Sequence, residues 1–333
     1  MQHIDVVVVG AGISGIGAAY NLKTRCPNKS YTILEGRSEL GGTWDLFKYP
    51  GVRSDSDMHT MGFKFKPWRS PKTIADAPSI LSYLNETVDE FDIREKIQFN
   101  KKVISAKWSS LEALWNLQVE DQSDKTVEEM TCNILYLCGG YYNYDEGYTP
   151  EFKNVEAFEG QVIHPQKWPE DLDYTDKEVI VIGSGATAVT IVPSMAEKVK
   201  HITMLQRSPT YYFAAPDEDK IGNFIKKFTS DRLGYFLVRW KNILMQRVML
   251  NRLRKHPEKT KEMLINHVKE HLGEDYDVDK HFTPRYMPWD QRLCFVPNGD
   301  MFQAMNSGKA LSLIHISEPT RPLYISYAVF CLK

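Results

Sequence analysis

One hydrophobic pattern occurs twice along the chain. Residues 4–9 (Ile-Asp-Val-Val-Val-Val) form a short β-branched apolar run that ends in glycine and is followed by small residues able to open a helix. Residues 178–182 (Glu-Val-Ile-Val-Ile) run in the same way into Gly183, Gly185 and a helix-compatible stretch. Two strand-turn-helix starts predict two α/β units of one kind. Between them, 31–35 and 132–138 read as buried strands, 78–92 as an amphipathic helix, and 102–120 as paired strands carrying Trp108 and Trp115. Beyond the second start, residues 217–275 lose strand alternation and place Leu, Lys and Arg at helical spacing, which predicts an inserted helical subdomain. Its basic run from Arg239 to Lys255 reads as a solvated helix face, with an acidic partner or lipid as the alternative.

Composition narrows the function more than the fold. At 333 residues the chain exceeds what one core usually serves. The 41 basic and 43 acidic residues leave a formal charge of -2, so no global field points to nucleic acid or an anionic membrane as partner. The five cysteines form no CxxC pair and no Cys/His cluster with zinc spacing, which indicates neither a disulfide framework nor a metal site and fits a reducing cytoplasm. The apolar start at 4–19 is broken by glycines and lacks a basic leader, and no stretch reaches the roughly 18 to 20 uninterrupted apolar residues of a spanning helix. A soluble protein acting on small molecules is expected.

Gly10-Ala11-Gly12-Ile13-Ser14-Gly15 is a GxGxxG placed between strand and helix. Gly10 permits the tight turn, Gly12 lets backbone approach a pyrophosphate, and Gly15 lets the helix pack on the strand, whose partner helix offers its N-terminus to the phosphates. Glu35, at the end of the next apolar run, stands where an acid binds ribose hydroxyls. The second turn, Gly183-Ser184-Gly185-Ala186-Thr187-Ala188, is the GxGxxA variant. Its next strand ends in Gln206-Arg207-Ser208, where Arg207 can neutralise a 2'-phosphate and Ser208 can hydrogen-bond it, so NADPH is expected over NADH.

These residues sit among others that carry a resemblance. The continuation Gly41-Gly42-Thr43-Trp44 after Glu35 resembles the FAD-binding start of flavoproteins with two dinucleotide domains, which assigns FAD to the first site through Gly10, Gly12, Gly15, Glu35, Gly42, Thr43 and Trp44. The run Ile134 to Gly140 resembles the strand and glycine turn leading out of that domain. Phe158, Gly160, His164, Trp168 and Pro169 match FxGxxxHxxxWP, the fingerprint of type I Baeyer-Villiger monooxygenases, at every defined position. Trp44 to Asp55 looks like that family's segment from tryptophan to Tyr-Pro-Gly beside the flavin, and Trp289-Asp290-Gln291-Arg292-Leu293 like its active-site arginine segment. The wording is similar to an EthA-type subgroup that contains thioamide activators.

The resemblance implies a mechanism. NADPH reduces FAD, O2 adds to the reduced flavin, and the C4a-peroxide attacks a ketone carbonyl or a soft sulfur, converting ketone to ester or oxidising a thioamide. By matched position Arg292 stabilises the anions, Asp55 pairs with Arg292 beside the FAD, and His164 helps organise the NADP-bound state. Gln291 stands where many members have a lysine that contacts the NADP phosphate. An N-hydroxylating or flavin-containing heteroatom monooxygenase, and an inactive nucleotide-binding fragment, remain alternatives; a flavin disulfide reductase lacks its cysteine pair here.

The expected domains are an FAD-binding part at 1–153, an NADP-binding domain at 154–290, a start of the return to the FAD domain at 291–311, and an unrelated tail at 312–333. That tail resembles translated sequencing-adapter read-through. Members of the family continue well beyond this point to complete the flavin domain, so an incomplete domain with exposed apolar sheet is expected.

Overall fold

A computed structural model describes residues 2–152 and 154–314, together with the backbone of 329–332. The chain divides into two compact units. The first comprises the chain up to Leu46 with Ala77–Tyr144, and the second Phe47–Asp76 with the chain from Asp145 onward.

The first unit begins with β1 (Gln2–Val9), α1 (Ile13–Arg25), β2 (Tyr31–Leu34) and the short helix α2 (Thr43–Leu46). After α3 (Met58–Met61), which lies in the second unit, come α4 (Ala77–Glu90), β3 (Ile97–Gln98), β4 (Lys101–Ser109), β5 (Leu114–Asp121) and β6 (Val127–Leu137). Their sheet has the order β3-β2-β1-β6-β5-β4. β1 lies parallel to both β2 and β6, which explains its unbroken Val6-Val7-Val8 run: a central parallel strand is buried on both faces. β4, β5 and β6 are antiparallel, with Trp108 opposite Trp115 and their rings 5.5 Å apart. The strand expected at 132–138 is present, but it is not buried throughout. Cys132 is enclosed, whereas Ile134 and Tyr136 on one face are 55% and 52% exposed and Leu137 on the other is 73% exposed, so the second half of the strand is largely uncovered on both faces.

The second unit holds β7 (Gln161–Ile163), β8 (Glu178–Ile182), α5 (Ala186–Ala196), β9 (His201–Gln206) and β10 (Tyr211–Ala215). The helices α6 (Lys220–Lys227), α7 (Asp231–Lys255), α8 (Pro257–Leu272) and α9 (Val278–His281) follow. It closes with β11 (Leu293–Pro297), α10 (Asp300–Asn306), β12 (Ala310–Ile314) and β13 (Val329–Leu332). β12, β9 and β8 are parallel, and β13 runs antiparallel between β8 and β7. β10 and β11 form a separate parallel pair. No described helix is long and apolar enough to cross a membrane.

Two expected boundaries are corrected. Residues 47–76 belong to the second unit because the Tyr-Pro-Gly segment packs on α5: a side chain at Gly51 would stand 1.8 Å from Ser194 Oγ, Tyr49 hydrogen-bonds Thr187, and Arg53 pairs with Asp300 of α10 at 2.5 Å. Residues 291–311 do not start a return to the first unit, since β11 joins β10 and β12 joins β9. Ser312, expected to open the tail, is buried in β12 against Gln206, its Oγ 2.6 Å from Gln206 Nε2. Residues 315–328 and 333 of that tail lie outside the described residues.

Candidate cofactor sites

In the first unit the glycine turn is set by close packing. A side chain at Gly15 would stand 1.9 Å from the carbonyl oxygen of Gly10, so α1 crosses β1 with no room for a methyl group. Gly12 caps α1 with no side-chain hydrogen bond, which leaves the first amides of the helix for a ligand. A side chain at Gly12 would meet nothing closer than Gly42 Cα at 3.7 Å, and at Gly139 and Gly140 nothing within 4 Å. Gly139 and Gly140 therefore leave open space beside the turn, while Gly12 lets the backbone of Gly42 come into contact with it, as a pyrophosphate cradle requires.

Glu35 is only 8% exposed, and both its carboxylate oxygens are engaged. Oε2 accepts from Ala11 N at 2.7 Å and Oε1 from Arg37 N at 3.0 Å. Its remaining lone pairs are available to ribose hydroxyls. Thr43 and Trp44, half-buried, open α2 directly after Gly42.

Sequence reasoning missed a neighbouring cluster. Arg37 pairs with the buried Asp45 of α2 at 2.6 Å and stands 5.8 Å from the ring centroid of Tyr144. Burial pushes the Tyr144 phenol up, with Glu35 adding to the shift, so it stays protonated. The signal for Arg37 was its position just past the ribose acid; Tyr144 had none beyond a tyrosine-rich run.

In the second unit Gly183, with φ +136°, turns the chain into α5, whose cap Gly185 also carries no side-chain hydrogen bond. Ala188 is fully buried where α5 meets the sheet. Ser184 Oγ lies 3.0 Å from Thr210 Oγ1 and donates to Ser208 O at 3.3 Å. At the end of β9 Gln206 is fully buried, while Arg207 and Ser208 are exposed. The glycine turn and this arginine-serine pair are thus held together at the ends of adjacent parallel strands.

Arg292 stands just before β11, and its carbonyl accepts from Tyr286 Oη at 3.0 Å. Tyr211 Oη in turn donates to Tyr286 O at 2.6 Å, and Tyr212 Oη donates to Ser184 O at 3.1 Å. Buried Cys294 lies 3.8 Å from the same Ser184 carbonyl. The β10–β11 pair therefore ties the glycine turn to the arginine segment, a link that alternation in Tyr211-Tyr212 did not disclose. Burial pushes the Cys294 thiol up to about 12, against the opposing pull of Arg292.

Asp55 is exposed and forms no ion pair with Arg292 among the described residues. The expected direct pair is corrected to a shared electrostatic neighbourhood, since both charges act on Cys294. Asp55 lies in the segment that packs with the second unit.

The fingerprint residues also lie in the second unit. Phe158 and Gly160 precede β7, and His164 caps the turn Pro165–Lys167 by accepting from Gln166 N at 3.2 Å through Nδ1. Burial, then Lys167, holds the imidazole below its usual pKa and hence neutral. Gly147 makes room for it, as a side chain there would stand 2.1 Å from His164 Cε1. Trp168 packs edge-on against Tyr174 at 6.3 Å, and Pro169 is exposed.

Two glycine turns of this kind, one followed by a buried acid and one by an exposed arginine, define a protein built for two dinucleotides. The flavin-binding monooxygenase-like family matches residues 4–269, and the chain belongs to that family. The FAD-containing monooxygenase EthA of Mycobacterium tuberculosis is 53% identical over 309 residues, covering 92% of this chain and 63% of the relative. The probable FAD-binding monooxygenase AlmA of Acinetobacter baylyi is 48% identical over 310 residues, covering 93% and 62%. Among solved structures, a steroid monooxygenase bound to NADP superposes with a TM-score of 0.76 at 23% identity, covering 94% of this chain and 65% of that one. A cyclohexanone monooxygenase superposes at 0.75 and 22% identity, covering 94% and 66%. The chain spans a little under two thirds of the length of the curated relatives it matches.

Proposed function

We propose that this chain carries the FAD and NADPH sites of a monooxygenase that places one oxygen atom of O2 into a ketone, giving an ester, or onto a sulfur compound such as a thioamide. One observation carries the reading: the chain has two uncapped glycine-helix turns whose following strands end in opposite charges, Glu35 buried and Arg207 exposed. The residues present fit both dinucleotides, because open space at Gly139 and Gly140 adjoins the first turn and Arg207 with Ser208 adjoins the second.

When bound, FAD supplies electron transfer from NADPH and activation of O2. The chain's own part is to bind and orient. Amides of α1 and α5 receive the two pyrophosphates, Glu35 takes the ribose hydroxyls of FAD, and Arg207 with Ser208 takes the 2'-phosphate of NADPH. Thr43 and Trp44 border the flavin site. Arg292 offers a guanidinium that stabilises negative charge developing on oxygen, with Asp55 modulating the local field. His164, neutral and held by Gln166, orders the fingerprint segment. We place this activity in the reducing cytoplasm.

The test is anaerobic and aerobic turnover of the FAD-loaded protein with NADPH and either a cyclic ketone or a thioamide. Ester formation carrying label from 18O2 supports the Baeyer-Villiger assignment, and Arg292→Ala is expected to keep NADPH oxidation while losing product by about a hundredfold or more. Oxygenation of nitrogen, with no ester from any ketone and no oxidised thioamide, would favour the N-hydroxylating heteroatom monooxygenase reading. FAD uptake without NADPH oxidation would leave only a nucleotide-binding fragment.

A further inference from the structure

Helix α7 is apolar on two opposite sides. Its inner side buries Gly234, Tyr235, Val238, Asn242 and Leu253. Its outer side carries Leu233, Phe236, Trp240, Leu244 and Val248, which recur at the three-and-four spacing of a single helix face and are 48–67% exposed. The preceding helix α6 adds Ile221, Phe224 and Phe228 at 65–69% exposure, with Phe224 and Phe228 rings 4.9 Å apart. Scattered exposed apolar residues need no explanation, but a continuous aromatic and aliphatic stripe along two helices does.

The charge of α7 indicates what the stripe meets. No acidic residue occurs between Asp231 and Glu258. Of the cations in that interval, Arg239 is committed to the carbonyls of His59 and Gly62, and Lys241 to Asp219. Arg247, Arg252, Arg254 and Lys255 remain exposed toward the end of the helix, and Lys227 at the end of α6. By helical periodicity Arg247, Arg254 and Lys255 fall on the same side as Trp240 and Leu244.

We propose that the α6–α7 face docks on the surface of an anionic lipid bilayer, with α7 lying in the interface plane. Phe and Trp enter the boundary between headgroups and acyl chains, and the arginines meet phosphate; this is the composition of an interfacial helix. The charged residues along α7 and the absence of a described spanning helix fit a helix lying on the membrane, not through it. Self-association through the same face would bring two sets of arginines together, which disfavours a second copy as the occupant. The proposal is independent of the catalytic reading.

Co-sedimentation of the purified FAD-loaded protein with vesicles tests it. Binding is expected to vesicles of equal parts phosphatidylglycerol and phosphatidylcholine, to weaken with added salt, and to be about tenfold or more weaker on phosphatidylcholine alone. Two exposed-site double variants, Leu244→Ser with Val248→Ser and Arg247→Glu with Arg254→Glu, are expected to lower partitioning about tenfold or more each, with flavin absorbance and melting temperature unchanged. Protein that stays in the supernatant with both vesicle types overturns the proposal, as does equal binding by both variants. A concentration-dependent dimer that the Leu244→Ser, Val248→Ser variant dissociates, without vesicle binding, assigns the face to a second copy instead.

Discussion

Ala11 and Ser184 hold the same place in the two glycine turns, yet each is fastened by a different kind of group. Ala11 gives its amide to the buried carboxylate of Glu35 at 2.7 Å. Ser184 pairs its own hydroxyl with Thr210, and its carbonyl accepts from Tyr212. The first arrangement requires an acid at the end of β2. The second frees the end of β9 from anchoring, so Arg207 is left in solvent where a phosphate can reach it. The helix crossings differ too. Gly15 stands where a methyl group would overlap Gly10 O, while Ala188 fits with its methyl group fully buried.

The helix crossing gives the largest predicted effect. Gly15→Ala must move backbone, since its Cβ would lie 1.9 Å from a carbonyl oxygen; a cost of about 3 kcal/mol or more is expected. The variant should purify without flavin, read directly in its visible absorbance. The mirrored change Ala188→Gly removes a buried methyl and adds backbone entropy, about 1 kcal/mol, and should leave bound flavin in place. Full flavin content in Gly15→Ala at an unchanged melting temperature would refute the close crossing.

Next is the anchor of the first turn. Glu35→Ala strips two amides, those of Ala11 and Arg37, of a charged acceptor. Such bonds contribute about 1.5 to 3 kcal/mol each, so FAD affinity should fall about a hundredfold, measured by quenching of flavin fluorescence, with Glu35→Gln intermediate. Arg207→Ala acts on the other turn and on one ligand only. The KM for NADPH should rise about tenfold while that for NADH stays level, because an exposed arginine meets only the extra phosphate. An equal rise for both coenzymes would mean that Arg207 supports the strand end and reads no phosphate.

How much of this was legible depended on whether neighbours in sequence are neighbours in space. Both turns announce themselves locally, because a strand, its glycines, a helix and the next strand's last residue lie within one short stretch. The α/β class and the crossing at Gly15 follow from that. The Tyr212–Ser184 contact joins residues on separate strands, and the Gly147–His164 contact joins a loop to a distant cap, so no spacing rule announces either. The same limit explains the Asp55–Arg292 expectation. Matched motifs indicated a shared site, but not whether the two side chains meet. The assignment of 47–76 to the first unit failed for a related reason: the chain leaves that unit between Leu46 and Ala77 to pack on α5, although the sequence runs on without a break in polarity.

The smallest predicted effect bears most directly on the comparison. Tyr212 is fully buried, and burial raises its phenol far above the usual range, so its hydroxyl is a neutral donor at every working pH. Tyr212→Phe keeps the ring, with its edge contact to Phe282 at 5.5 Å, and removes only the donor to Ser184 O. A neutral hydrogen bond contributes about 1 kcal/mol, less than the charged bond at Ala11. The KM for NADPH should therefore rise about threefold to fivefold with flavin content unchanged. The double variant with Ser184→Ala should lose less than the sum of the two singles if hydroxyl and carbonyl hold the turn together as one unit, because either single change then already breaks it. Simple additivity would show two independent fastenings, and the second turn would then be anchored at separate points where the first depends on one carboxylate.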